Sequence, residues 1–176
     1  MVFLFLKMPN LNVEIKAKCA DPAPICKYLG LHGVLKGTDH QTDTYFKVAH
    51  GRLKLREGVI ENNLIHYHRP DVAGIRDSRF TLFAVTDAVT LKQILTDSNG
   101  IKVVVEKIRE IYFIDNVKFH LDTVSGLGNF MEIEASDLFR PAARDELFAQ
   151  CRFYMNEFGI ADSDLIAGSY SDMLDV

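Results

Sequence analysis

Polar and apolar residues alternate with period two through most of this chain, and clusters of turn residues cut the alternation into segments. Strands are predicted at Asn12–Lys18, Thr42–Val48, Arg52–Glu57, Asn63–Arg69, Ser78–Val85, Lys102–Tyr112, Val117–Asp122 and Asn129–Ala135. His50-Gly51 and Asp115-Asn116 supply tight turns, and Ser125–Asn129 closes the last hairpin. Helices are predicted at Pro22–Leu31, with Asp21 as N-cap, and at Ala88–Asp97, capped by Asp87 and ended near Asn99-Gly100. A third runs over Pro141–Phe158, where Leu147, Cys151, Tyr154, Met155 and Phe158 recur at helical spacing and predict a core-facing stripe. It stops at Gly159, and a short polar tail follows. Eight strands with mostly short connections predict an α+β fold: a closed antiparallel β-barrel covered outside by about three helices. No repeat or linker divides the chain, so residues 1–176 read as one domain, with a core over 11–135 and a C-terminal helix and tail over 141–176.

The alternation separates charge from hydrocarbon. Asn12, Glu14, Lys16 and Lys18 share one face of the first strand, with Val13, Ile15 and Ala17 opposite. Arg52, Lys54 and Arg56 share a face of the third, Lys107 and Arg109 of the sixth, and Lys118, His120 and Asp122 of the seventh. The eighth sets Glu132 and Glu134 against Met131, Ile133 and Ala135. A half-buried sheet with its charges in solvent would show the same alternation. Two features favour charges turned into a lumen: basic and acidic strands are segregated, and helices with apolar faces are present to cover the outside.

Such a cavity suits a ligand that is both polyanionic and metal-bound. A triphosphate carries about four negative charges, which guanidinium and ammonium groups bind through charge-assisted hydrogen bonds. Mg²⁺ takes one or two carboxylates together with substrate phosphates. Glu132 and Glu134, two apart on a strand, present both carboxylates to one side.

Composition narrows the setting. The chain has 176 residues, 48% apolar and 25% charged, with a net charge of −4, so a large basic surface for nucleic acid is not expected. No apolar run is long enough to span a membrane. Met1–Leu6 is apolar but too short for a secretory core before Lys7 and Pro9, and Met8 stands beside Met1 as a candidate start. Cys19, Cys26 and Cys151 form no C-x-x-C pair and read as buried or half-buried thiols in a reducing cytoplasm.

Taken in order, these motifs resemble the CYTH family of triphosphate tunnel metalloenzymes, which includes class IV adenylate cyclases and thiamine triphosphatases. The signature Glu-x-Glu-x-Lys is matched by Asn12-Val13-Glu14-Ile15-Lys16. Arg52-Leu53-Lys54-Leu55-Arg56 and Lys107-Ile108-Arg109 follow, and the closing hairpin is similar to His120-Leu121-Asp122 and Gly126 through Glu134. The tail from Tyr170 to Leu174 also resembles the family. The resemblance implies that Glu14, Asp122, Glu132 and Glu134 hold Mg²⁺ or Mn²⁺. It assigns phosphate to Lys16, Lys54, Arg56, His68, Arg69, Arg79, Lys107 and Arg109, with Lys16, Lys54, Arg56 and Arg109 catalytic. The implied ligands are ATP, thiamine triphosphate or inorganic triphosphate, and the implied reactions are hydrolysis or cyclisation. The oligomeric state is open, a homodimer included.

Two departures bear on this expectation. Asn12 replaces the first signature glutamate and removes one negative charge, which leaves a non-catalytic nucleotide sensor as an alternative. A Lys that many relatives place before a Pro falls within His66-Tyr67-His68-Arg69-Pro70, where His68 and Arg69 stand in for it. His66 and His68 share a strand face but have no third ligand nearby for zinc. A charged lumen also disfavours an apolar-ligand barrel.

Overall fold

A computed structural model describes residues 9–174. Met1 and Met8, the candidate starts, lie outside them. In chain order the elements are β1 (Asn10–Lys18), α1 (Ala23–His32), β2 (Val34–Phe46), β3 (Arg52–Glu57), β4 (Asn63–His68) and β5 (Arg76–Ala84). They continue with α2 (Ala88–Asn99), β6 (Ile101–Ile114), β7 (Val117–Val124), β8 (Gly128–Ser136), α3 (Arg144–Glu157), a 3₁₀ turn at Asp162–Asp164 and α4 (Tyr170–Leu174). The eight strands form a closed barrel in the order β1-β5-β4-β3-β2-β6-β7-β8, every pair antiparallel. Closure pairs every strand on both sides and leaves no sheet edge.

Turns fall where local chemistry places them. Gly51 sits at φ 68°, and a Cβ there would come within 2.7 Å of the Tyr67 carbonyl, so the β2–β3 turn needs glycine. Asp115 takes φ 50° in the β6–β7 turn, a conformation Asp tolerates. Asp87 accepts the Thr90 N–H at 3.0 Å and caps α2 as predicted. In α1 the carboxylate of Asp21 accepts the Ala23 N–H at 3.0 Å from one residue before the cap, which is Pro22.

Several boundaries differ from the sequence reading, three of them at element starts that bear on the site. β2 begins at Val34 rather than Thr42, because β6 pairs with it along its whole length, from Val34 opposite Phe113 to Phe46 opposite Ile101. A bulge between Leu35 and Gly37, with turn-like residues after it, hides this half of the strand in the sequence. β5 begins at Arg76, and α3 begins at Arg144, after Pro141.

The outer face of the barrel carries two of the buried apolar clusters, and a third, with Tyr45, Tyr67, Phe80, Phe130 and Tyr170, lies on its inner face. Val13, Ile15, Phe119, Leu121, Met131 and Ile133 pack beneath Ile25 and Leu29 of α1 and Leu147 and Cys151 of α3. Phe46, Leu55 and Val85 pack beneath Leu91 and Leu95 of α2. Each fully buried large side chain contributes on the order of 1.5–3 kcal/mol, so these layers fix which face of each strand points out. In β1, every residue from Asn12 to Ala17 is buried, apolar ones outward and polar ones inward. All three cysteines are free, Cys19 and Cys151 buried and Cys26 half-buried.

The tail is more than a polar appendage. Leu165 bridges to Ala17, and the Ile166 N–H donates to the Lys16 carbonyl at 2.8 Å. This strap carries α4 over the mouth where β1 ends and β6 begins, and Tyr170 packs on Phe130 with ring centroids 5.0 Å apart. Among the described residues no helix is long and apolar enough to cross a membrane.

Candidate functional site

The lumen contains a cavity of about 110 Å³, room for a ligand rather than one structural water. Its wall is the inward face of the strands, charged on β1, β3, β6 and β8 and apolar at Tyr45, Ile65, Tyr67 and Phe80. Glu14, Lys16, Asp43, Arg56, Arg109 and Glu132 are buried and line it, and Lys107, His120 and Asp122, also buried, bond Asp43, Glu132 and Arg109.

One side is basic around a single acid. Asp43 of β2 accepts Arg56 Nε at 2.8 Å and Nη2 at 2.9 Å, Lys54 Nζ at 2.9 Å and Lys107 Nζ at 2.6 Å. Burial opposes its ionisation, yet Arg56, Lys107 and Lys54 hold the carboxyl well below the usual range. Glu61, from the β3–β4 loop, accepts Arg56 Nη1 at 2.8 Å and pairs with Lys118. Asp39 fixes that loop by accepting the N–H groups of Val59, Ile60 and Glu61 at 2.8–3.1 Å.

The other side is acidic. Strand pairing sets Glu14 opposite Glu134, Lys16 opposite Glu132, and His120 opposite Glu132. Glu132 bonds Lys16 at 2.7 Å, Arg109 at 2.8 Å and His120 Nδ1 at 3.1 Å. His120, Glu132 and Glu134 each offer a ligand atom within 4.8 Å of the others. Glu14 pairs with Arg69 and lies 3.7 Å from Arg76. Asp122 is held by Arg109, with Nε at 2.6 Å, and by the Tyr170 hydroxyl, which donates at 2.7 Å. Tyr170 also lays its ring over Lys16 Nζ, 3.1 Å from the centroid.

These residues fit a divalent cation. Glu134 has no guanidinium or ammonium partner among the described residues, only His120 Nδ1 at 3.8 Å. Burial and the neighbouring charge of Glu132 push its pKa up to about 7. Burial, with Arg109 and Lys118, lowers His120 to about 3, so its ring is neutral and able to ligate.

A pH dependence follows. A cation bound through Glu134 displaces its proton, so affinity for Mn²⁺ should rise as pH passes about 7 and fall about tenfold by pH 6. Metal-free stability runs the other way: a carboxyl raised from 4.5 to about 7 makes the fold lose stability as pH climbs through that window. Calorimetric titration at pH 6, 7 and 8 checks this, and an affinity flat over that range would remove Glu134 from the ligand set.

Lys16, Lys54, Arg56 and Arg109 line the cavity, as do Glu14, Glu132 and Glu134, whereas Lys107 and Asp122 share those strand faces and bond the lining residues Asp43 and Arg109. Arg69 lies just past β4 but turns its guanidinium inward to Glu14. Two expected phosphate ligands are corrected. His68 and Arg79 are exposed and sit opposite each other on the outer face of β4 and β5, because period two turns Tyr67, Ser78 and Phe80 inward instead. The inward arginine of β5 is Arg76, two residues before Ser78, which the late strand start concealed. Its Nη1 donates to the carbonyls of Val72, Ile166 and Ala167 at 2.7–2.9 Å, tying the barrel to the strap. Asp43 was detectable in the sequence, since Gln41, Asp43 and Tyr45 alternate. Glu61 and Tyr170 carry no periodic signal.

The comparisons agree with this architecture. The chain is 26% identical over 175 residues to "Putative adenylate cyclase MJ0240" of Methanocaldococcus jannaschii, covering 93% of this chain and 98% of that one. The PH1012 protein of Pyrococcus horikoshii superposes with a TM-score of 0.76 at 21% identity, over 92% of this chain and 98% of that one. A Vibrio parahaemolyticus protein with the same adenylate cyclase description gives a TM-score of 0.72 at 16% identity, over 96% and 99% of the two chains. The CYTH domain matches residues 10–170, nearly the whole of the barrel and its strap, and the chain belongs to the CYTH domain family.

Proposed function

We propose that the lumen binds a triphosphate together with Mg²⁺ or Mn²⁺ and catalyses its hydrolysis. One observation carries this reading: among the described residues each lumen cation is already paired with a carboxylate, and Glu132, a member of the group suited to metal, is one of those carboxylates. A bare polyanion entering the lumen must compete with Glu132 for Lys16 and with Glu132 and Asp122 for Arg109. Were Glu132 and Glu134 to turn to a divalent ion, Lys16 would be freed for phosphate oxygens and Arg109 would keep only Asp122 as its carboxylate partner. Metal and triphosphate thus bind with positive linkage.

Glu132 and Glu134, with Glu14 and His120 beside them, would hold the ion. It would supply charge neutralisation and orientation for in-line displacement at phosphorus. Lys54, Arg56 and Lys107 bind the phosphate chain from the basic side, and Lys16 and Arg109 stabilise charge on the leaving oxygens. A second reading, cyclisation of a nucleoside triphosphate with loss of pyrophosphate, is favoured by the name of the Methanocaldococcus jannaschii relative.

Incubation with ATP, thiamine triphosphate and inorganic triphosphate, with Mg²⁺, Mn²⁺ or a chelator, separates the readings. Orthophosphate released only with metal is the expected product. Cyclic AMP with pyrophosphate would establish the cyclase instead, and tight binding without turnover would reduce the protein to a sensor.

A further inference from the structure

Lys118 of β7 and Glu134 of β8 both line the cavity and stand directly opposite each other in the sheet. Opposed residues of antiparallel strands hold their Cβ atoms about 4.5–5.5 Å apart, and opposite charges at that spacing attract. Lys118 is therefore the cation that the sheet offers to Glu134. The two do not pair. The Lys118 ammonium goes to Glu61 instead, and Glu134 keeps only His120 Nδ1, at 3.8 Å, among the described residues.

Glu61 belongs to no strand. It lies in the loop between β3 and β4, and β2 fastens that loop at several points. Asp39, 1% exposed, accepts the N–H groups of Val59 and Ile60 on Oδ1 and that of Glu61 on Oδ2. Gln41 Nε2 bridges the two carboxylates, 2.9 Å from Asp39 and 3.2 Å from Glu61. A Cβ at Gly58 would overlap the Asp39 carboxylate, and one at Gly37 would come within 2.7 Å of the Ile60 side chain, so glycine at both positions lets the loop close down. Set in this way, Glu61 takes Arg56 on Oε2 and Lys118 on Oε1. Burial opposes its charge, but Lys118 and Arg56 hold the carboxyl well below the usual range.

We propose that Glu61 is a positioning residue for metal: it draws Lys118 away from Glu134 and so leaves Glu134 open to a divalent cation, while Asp39 holds the loop that delivers it. Glu61 has this role only if the lumen takes metal, as proposed above. With Glu61 neutral, Lys118 is free to turn to the carboxylate opposite it. An entering cation must then displace an ammonium group from a buried partner.

Calorimetric titration with Mn²⁺ over a double-mutant cycle tests this, with a thermal melt on each preparation. E61Q should bind Mn²⁺ about tenfold more weakly than wild type, the usual scale of loss when a residue that prepares a metal ligand is changed. E61Q/K118M lacks the competing ammonium and should return to within about twofold of wild type, a recovery that a purely structural role for Glu61 would not produce. K118M alone should bind no more weakly than wild type. E61D keeps the charge but shortens its reach by a methylene, and it serves if E61Q does not fold: it should lose affinity several fold, again recovered by K118M. Binding by E61Q or E61D as tight as that of wild type overturns the proposal. So does a loss that K118M fails to recover, which would make Glu61 a ligand or a brace. A wild-type protein that takes up no Mn²⁺ fails the metal reading and removes the proposal with it, an outcome distinct from Mn²⁺ binding that ignores position 61.

Discussion

Glu132→Gln should lower metal-dependent turnover of a triphosphate by about 10²-fold or more while the barrel stays folded. Glu132 is where the acidic and basic parts of the lumen meet, bonded at once to Lys16, Arg109 and His120. Glutamine keeps the shape and one acceptor oxygen but removes the charge. Changing a group that only orients a metal ligand typically costs 10–100-fold, and a carboxylate that both ligates and positions Lys16 should exceed the upper end. Turnover, calorimetric Mn²⁺ binding and a thermal melt on one preparation separate loss of metal from loss of fold. Activity within twofold of wild type, with a normal melt, would remove Glu132 from the site.

Asp43→Asn should be among the most destabilising single changes in the protein. Asp43 is 1% exposed and faces Lys54, Arg56 and Lys107 together, so the amide would leave buried cations without their counter-charge. Removing one partner of a buried ion pair costs about 3–5 kcal/mol. In a chain of this size that lowers Tm by roughly 6–20 °C. Triphosphate in the buffer should restore much of the loss, because phosphate oxygens supply the missing negative charge. The pH signature has a definite sign. With its folded pKa depressed, Asp43 contributes stability that is present above its ordinary value of 3.8 and lost as pH falls below it. D43N should therefore lose that part of the acid transition. A melt within 2 °C of wild type (on the order of 1 kcal/mol or less) would mean that the three cations do not depend on Asp43.

Much of the barrel was legible because strands, turns and caps are local. Period-two alternation located the strands, and Asp87 and Gly51 marked ends through chemistry that acts within a few residues. Legibility stopped where pairing partners decided the outcome. Val34–Gln41 reads as a turn-rich segment and becomes strand only because β6 lies beside it. His68 and Arg79 read as phosphate ligands by position, but strand phase turns both of them outward and turns Arg76 inward. Glu61 and Tyr170 reach the site from a loop and from the far end of the chain, and no periodicity marks either.

By itself the sequence determined a chain of amphipathic strands whose polar stripes carry opposite charges on different strands, with enough helix to cover one surface. Which surface that would be is not a local property: the same alternation makes a solvated sheet or a lined tunnel. Tertiary structure decided it by placing α1, α2 and α3 on the apolar stripes, since burying hydrocarbon against the helices leaves only the lumen for the charges. It also decided that Glu132 lies at the centre of the charge network, bonded to Lys16 of β1, Arg109 of β6 and His120 of β7.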